Sequence, residues 1–206
     1  MKRFLNALII ATTLTLPTLV VADEPTLQLP YREVAKQDLD QKKVLIFFSF
    51  GCSVCASYDR ALDRWAATMP EGWTAEFVPV AVPEKGSYMA ARAYYAVLDA
   101  DPRRIGPFMS SAYSLVHDHG MALDDEQTWK KAVTAANVQG FEKAWAGVKQ
   151  ARLESALAKL LTYGVDATPS IAIGGQYVIT PDNVNGDNSM FLQLANGMVS
   201  KVIQNR

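Results

Sequence analysis

The chain has only two cysteines, Cys52 and Cys55, three positions apart and shortly after the apolar run VLIFFSF. A disulfide that only holds a fold together gains most from closing a long loop. In the chain-entropy model a four-residue loop gives about 2 kcal/mol, against about 4 to 5 kcal/mol for a hundred residues. Two neighbouring thiols can instead exchange with a partner's disulfide, because the second thiol resolves the mixed intermediate. The spacing therefore favours a bond that opens and closes over a structural bridge.

The residues around the cysteines predict where each thiol lies. Residues 44–50 have the composition of a strand buried on both faces, and Gly51 ends it. Residues 55–69 approximate the apolar stripe of a helix. We therefore expect Cys52 at the helix start, where unpaired backbone N–H groups and the helix dipole favour a thiolate. Cys55, one turn further on, is expected to be covered and to be the resolving thiol.

The rest of the chain predicts a strand, a helical block, a hairpin and a closing helix. Residues 74–82 alternate like a strand, and Pro79 predicts an edge position or a bulge. In the helical block that follows, residues 140–163 are predicted to form one helix. Gly174-Gly175 is a two-residue hairpin signal between two short strands. The apolar stripe of the 140–163 helix is formed by Leu153, Ala156, Leu157, Leu160 and Leu161.

Composition indicates an ordinary globular protein. Of the 206 residues 50% are hydrophobic and 20% charged, and the formal net charge is -1. No basic excess directs the chain to nucleic acid. With no repeat or low-complexity tract, we expect a monomer of one domain that can carry an insertion.

The N-terminus has the layout of a cleaved signal peptide. Lys2 and Arg3 precede an apolar stretch that ends in small residues before Asp23. Residues 1–22 are therefore expected to be removed on export; an uncleaved membrane anchor is the alternative. Export leads to a compartment where disulfides persist.

Two segments together resemble the DsbA-type periplasmic disulfide oxidases: VLIFFSFGCSVC and YGVDATPSIAIGGQYVI. The resemblance implies an α/β thioredoxin-like fold with an inserted all-helical subdomain. The thioredoxin-like part would comprise residues 23–85 and 150–206, and the insertion residues 86–149. It also implies no cofactor beyond the redox-active Cys52–Cys55 disulfide. The partners implied are unfolded or reduced client proteins and, for reoxidation, a DsbB-like quinone-coupled membrane protein.

Thr168 and Pro169 form the second part of the implied site. A cis peptide bond is rare except before proline. If Thr168-Pro169 is cis, it would lie beside Cys52 and leave the backbone of Thr168 free to pair with an extended client peptide. An ordinary turn proline is the alternative.

The active-site sequence also departs from the family. The dipeptide between the cysteines is Ser53-Val54, whereas strong oxidases of the family carry Pro-His, whose histidine stabilises the thiolate. Losing that donor is expected to raise the pKa of Cys52 and to make this chain a weaker oxidant. Ile46 stands where family members often have an acid in the preceding strand.

Asp59 is the remaining candidate for moving the proton of the resolving thiol. It lies four residues after Cys55 and so on the same helix face. The alternative is a solvated acid that pairs with a nearby arginine. Ser53 could likewise donate a hydrogen bond to the thiolate or simply face solvent.

Other functions remain open at this point. His117 and His119 with the two cysteines match the count of a zinc site, but their spacing better suits a helix end, so no metal is expected. The same thiols could serve a reductase or isomerase. A peptide-binding or metal-binding module with incidental cysteines is the more distant alternative.

Overall fold

The computed structural model describes residues 29–204, so the signal peptide predicted for residues 1–22 lies outside the described residues. One sheet of five strands has the order β1-β5-β4-β2-β3. β2 is parallel to β3 and antiparallel to β4, and β5 is antiparallel to both β4 and β1. The strands are β1 (Arg32–Glu33), β2 (Lys43–Phe48), β3 (Thr74–Pro79), β4 (Ser170–Ile173) and β5 (Tyr177–Ile179).

Seven α-helices accompany this sheet within residues 29–204. They are α1 (Ser53–Ala66), α2 (Lys85–Ala100), α3 (Ile105–His117), α4 (Glu126–Ala135), α5 (Phe141–Gly147), α6 (Gln150–Thr162) and α7 (Asn188–Gln204). α2 to α5 follow β3 without an intervening strand, as a helical insertion requires. The order of elements is that of the predicted α/β thioredoxin-like fold.

The inner strand β2 divides the apolar side chains into two cores. Leu45 and Phe47 pack with the helices of the insertion, whereas Val44 and Ile46 pack with α1 and α7. Because alternate residues of a strand point to opposite faces, a continuous apolar run is what a strand covered on both sides needs. Ile46 is fully buried in the second core.

Two predicted boundaries shift. β2 ends at Phe48 rather than residue 50, because the backbone turns there and the N–H of Cys52 donates to the carbonyl of Ser49 at 3.1 Å. β3 ends at Pro79 and has a single neighbouring strand, so the edge position predicted from that proline is confirmed.

The single helix predicted for residues 140–163 is wrong. α5 ends at Gly147, and Val148 and Lys149 are extended, with ψ of 113° and 141°, before α6 begins. The break lets the side chain of Val148 turn inward, where it is buried. Leu161, included in the predicted stripe, is 68% exposed. The predicted apolar stripe begins at Leu153, inside α6, so it gave no information on residues 148 and 149.

The predicted hairpin is confirmed, since β4 and β5 are joined through Gly174 and Gly175 with φ of 62° and 73°. Backbone angles of this kind favour glycine.

No helix among residues 29–204 has the length and apolar character needed to cross a membrane.

Candidate active site

Cys52 is the N-cap residue of α1. Its backbone is extended, with φ −95° and ψ 113°, and its sulfur accepts the backbone N–H of Cys55 at 3.2 Å. An N-cap side chain normally satisfies one of the free N–H groups of the first helical turn, and here a sulfur does so. The helix start predicted for this cysteine is thereby confirmed.

The surroundings of Cys52 favour its thiolate. Its pKa is lowered from 9.0 to about 5, first because the Cys55 thiol donates to its sulfur, with further help from the Thr168 side chain and the backbone of Cys55 and Val54. Partial burial of the sulfur opposes this shift. Cys52 remains half-exposed, so the anion is open to a partner.

Cys55 has the opposite character. It is 1% exposed, and its pKa is raised well above 9.0 because its thiol proton is held by the Cys52 sulfur and because burial disfavours the charge. Both cysteines are free thiols in this structure. The site therefore holds one accessible sulfur that ionises readily and one covered sulfur that keeps its proton.

The structure brings Thr168 and Pro169 to the same sulfur. The Thr168-Pro169 peptide bond is cis, as predicted, and the Cys52 sulfur lies 3.0 Å from the Thr168 carbonyl oxygen, to which it can donate only in its protonated form. Pro169 is buried and Thr168 is half-exposed, immediately before β4 begins at Ser170. Residues 116 positions apart thus form one site.

Sequence reasoning missed the side chains that hold the start of the loop from Tyr163 to Pro169. Arg32 donates to the carbonyls of Tyr163 and Gly164 at 3.0 and 2.9 Å, where α6 ends. The hydroxyl of Tyr163 donates to Asp40 at 2.7 Å. Arg32 lies on the two-residue strand β1, which is too short to leave a pattern in the sequence.

Asp59 is half-buried on the side of α1 that faces α3. Its pKa is raised to about 6, mainly by burial and then by the charge of Asp63, while a hydrogen bond with Ser110 opposes the shift. The pKa of Tyr113 on α3 is raised mainly by its own burial, and the charges of Asp59 and Cys52 raise it further. A cavity of about 190 Å³ adjoins the acid and is lined by Asp59, Arg60, Asp63, Phe77, Tyr94, Ile105, Gly106, Met109 and Ser110.

Ser53 and Val54 are on the outer surface of the first helical turn. Both are exposed, Val54 with 44% of its surface open to solvent. The backbone N–H of Val54 also contributes to lowering the pKa of Cys52.

His117 and His119 do not form a metal site with the two cysteines. Within residues 29–204 no group of three or more His, Cys, Asp or Glu side chains is placed to hold a metal ion. α3 ends at His117, as the helix-end interpretation predicted. However, Nε2 of His117 also lies 2.9 Å from the carbonyl oxygen of Phe50, in the turn before Cys52, a contact that the sequence did not indicate.

Comparison with known proteins agrees with this geometry. A family model described as Thioredoxin matches residues 40–189. The thiol:disulfide interchange protein DsbA of Bordetella parapertussis is 24% identical over 162 residues, which cover 76% of this chain and 75% of that protein. The crystal structure of Pseudomonas aeruginosa DsbA superposes with a TM-score of 0.71 at 15% identity, covering 84% of this chain and 91% of that one. DsbA of Xylella fastidiosa gives 0.67 at 22% identity, with 83% and 94% covered.

The chain therefore belongs to the thioredoxin family, whose model spans most of its length. Within that family, the resemblance to DsbA-type thiol-disulfide oxidoreductases predicted from the two motifs is confirmed. The α/β thioredoxin-like fold with a helical insertion is confirmed as well.

Proposed function

We propose that this protein is an exported thiol-disulfide oxidoreductase that introduces or exchanges disulfides in reduced client proteins through Cys52. The observation that carries the proposal is the Cys52 sulfur itself, half-exposed at the N-cap of α1 and 3.2 Å from the N–H of Cys55. Cys55, directly behind it, is buried and retains its proton. A low-pKa thiol with a covered resolving thiol is the arrangement that disulfide exchange requires.

In the oxidising direction, a client thiolate attacks Cys52 of the Cys52–Cys55 disulfide, forming a mixed disulfide while Cys55 leaves as a thiolate and takes up a proton. A second client thiolate then attacks the client's own sulfur in the mixed disulfide, and Cys52 leaves as a thiolate. The client gains one disulfide, and the protein gains the two electrons as a dithiol. A DsbB-like quinone-coupled membrane protein is the oxidant that we propose restores the disulfide.

Asp59 is proposed as the group that gives and takes the proton of Cys55. Its carboxyl group lies one helical turn beyond Cys55, is half-buried, and has a pKa of about 6. A group with such a pKa can serve as acid or base near neutral pH. The adjoining cavity offers a route for that proton to solvent.

Thr168 and Pro169 are proposed to hold the client. The backbone of Thr168 adjoins the reactive sulfur and is half-exposed, so an extended peptide can pair with it while its cysteine reaches Cys52. Ser53 and the exposed Val54 are proposed to border the same peptide. The helical insertion, residues 86–149, is proposed to form one wall of this groove.

The strength of the oxidant is expected to be intermediate. Thiolate pKa values are about 3.5 in DsbA and about 7 in thioredoxin, and lower values accompany stronger oxidants. The pKa of about 5 for Cys52 lies between them, in keeping with a dipeptide that lacks histidine. The same residues acting in the reducing or isomerising direction are the second candidate, because a Cys52 pKa above that of DsbA stabilises the dithiol less than in a strong oxidant.

The test has two parts. In a Cys55→Ser variant whose Cys52 has first been converted by glutathione disulfide to a mixed disulfide with glutathione, a thiolate of a reduced client protein is expected to displace glutathione thiolate. The client should then accumulate as a mixed disulfide with Cys52, and Cys52→Ala is expected to form none. Exchange activity unchanged by Cys52→Ala would instead support a binding module. Equilibration of the intact protein with glutathione then decides the direction, since a more reducing pair than glutathione would favour the second candidate.

A further inference from the structure

The turn that leads from β2 into Cys52 is held by the helical insertion. The ring of Phe50 packs against Phe108, Tyr113 and Trp129, with ring centroids 5.8, 5.2 and 5.3 Å away. A Cβ atom on the next residue, Gly51, would lie 3.1 Å from Cδ1 of Leu123. The insertion therefore contacts both residues immediately before the nucleophile.

His117 adds a polar contact to the same turn. Its Nε2 lies 2.9 Å from the Phe50 carbonyl oxygen, which can only accept, so Nε2 carries the proton. The ring also stacks on Tyr113 of the same helix, with centroids 6.1 Å apart and planes 24° apart. An exposed imidazole is thus held in one orientation by its backbone partner and by a neighbouring ring.

The position of the Cys52 sulfur depends on this turn. The N–H of Cys52 donates to the Ser49 carbonyl at 3.1 Å, and the N–H of Gly51 donates to the Ser49 hydroxyl at 3.2 Å. Phe50 lies within the turn that these two hydrogen bonds close, and its carbonyl is oriented by His117. Rotation of that peptide unit would move the extended N-cap backbone that aims the sulfur at the N–H of Cys55.

We propose that His117 is a positioning residue for the nucleophile. By donating to the Phe50 carbonyl it fixes the turn from Ser49 to Gly51 and so keeps the Cys52 sulfur on the N–H groups of α1. The inference rests on the proposed function of Cys52. The imidazole of His117 in the insertion thereby supports the Cys52 thiolate, although the dipeptide Ser53-Val54 between the cysteines contains no histidine.

The test compares His117→Ala, His117→Gln and, as the matched control, His119→Ala, which removes an exposed histidine two residues further on. The pKa of Cys52 is measured from thiolate absorbance. The fraction of the protein in the dithiol form is measured after equilibration with glutathione. In that reaction the Cys52–Cys55 disulfide and two molecules of reduced glutathione give the protein dithiol and glutathione disulfide. His117→Ala is expected to raise the Cys52 pKa by about half to one unit and to shift the equilibrium about three- to tenfold toward the disulfide. His117→Gln, whose amide can still donate, is expected to restore most of both values, and His119→Ala is expected to match the parent.

The outcomes separate the two proposals. A parent protein whose Cys52 is no more acidic than a free thiol would overturn the proposed function. A parent with an acidic Cys52 and a His117→Ala variant with unchanged pKa and equilibrium would overturn only the role of His117, even if the variant melted at a lower temperature. His117→Gln behaving like His117→Ala would overturn it as well, because a restored hydrogen-bond donor would then fail to restore the thiolate.

Discussion

At the scale of single residues, two identical side chains three positions apart differ in their affinity for a proton. Cys52 receives N–H groups at a helix start, whereas Cys55, one turn inside, is surrounded by apolar atoms. The cysteine spacing and the helix start predicted this division of roles, because both depend on local sequence. The contact between His117 and Phe50 joins residues 67 positions apart, and no local pattern encodes it.

The first residue-scale prediction concerns pH. The pKa of Cys52 is about 5 in the fold and about 9.0 when unperturbed, so between these values the unfolded dithiol binds one more proton at this site than the folded one. The stability of the reduced protein relative to a Cys52→Ser variant should therefore rise from pH 5 to pH 8 and be lost as pH falls through about 5. Denaturant unfolding of both proteins at pH 4, 6 and 8 measures this difference. A difference that does not change with pH would contradict the lowered pKa.

The second concerns Asp59. Resolution of a mixed disulfide between Cys52 and glutathione, in which the Cys55 thiolate displaces glutathione thiolate, should slow about tenfold or more in Asp59→Asn, because the proton acceptor is gone. Stopped-flow rates should also lose the inflection near pH 6 that the parent shows.

Asp63→Asn is the matched control for Asp59. The charge of Asp63 raises the pKa of Asp59, so this variant should keep the inflection and move it to lower pH. An Asp59→Asn variant with the rate and pH profile of the parent would leave Asp59 as a solvated acid and no more.

At the scale of elements, short signals with strong backbone requirements were predicted well, and breaks inside helices were not. The positive φ angles of the hairpin turn favour glycine, and a proline cannot donate to a sheet ladder, so Gly174-Gly175 and Pro79 marked the hairpin and the edge strand correctly. Val148 and Lys149 give no such signal, so the break between α5 and α6 was missed. β1 is two residues long and is held by pairing with β5 rather than by its own sequence.

The hairpin provides the element-scale prediction. A Cβ on Gly174 would lie 2.7 and 2.8 Å from the methyl carbons of Val202 on α7, and its φ is 62°. Gly174→Ala should therefore lower the free energy of unfolding by about 1 to 3 kcal/mol. Gly197→Ala is the control, since a Cβ there meets no atom within 4 Å and alanine favours a helix by up to about 1 kcal/mol. Denaturant titration of both variants measures the contrast, and a Gly174→Ala variant as stable as the parent would refute the close contact.

At the scale of the whole molecule, the insertion and the sheet share one apolar core. Leu45 and Phe47 of β2 belong to the same cluster as Phe108 of α3 and Trp129 of α4. The sequence predicts that a helical insertion is present but not how it packs, because its helices meet β2 through side chains that are far apart in the chain. Residues 86–149 remain a predicted subdomain.

The shared core gives a prediction about cooperativity. Phe108 is fully buried, so Phe108→Ala should cost about 3 to 5 kcal/mol of unfolding free energy. Circular dichroism and tryptophan fluorescence should still change in a single coincident transition, because the sheet and the insertion unfold together. Leu161→Ala, which truncates a leucine that is 68% exposed, should change stability by less than about 0.5 kcal/mol. Separate transitions for the two probes would show that the insertion folds as an independent unit.

The two edge strands of the sheet affect how a protein that is proposed to act on unfolded chains can interact with them. One edge strand is β1, only two residues long, and the other is β3, which ends in a proline and carries Glu76 in an ion pair with Lys159 of α6. Short edge strands, proline and charge all discourage a foreign strand from extending a sheet. The edges of this sheet therefore disfavour pairing with strands of unfolded polypeptides, so the protein should not nucleate their aggregation even at high concentration.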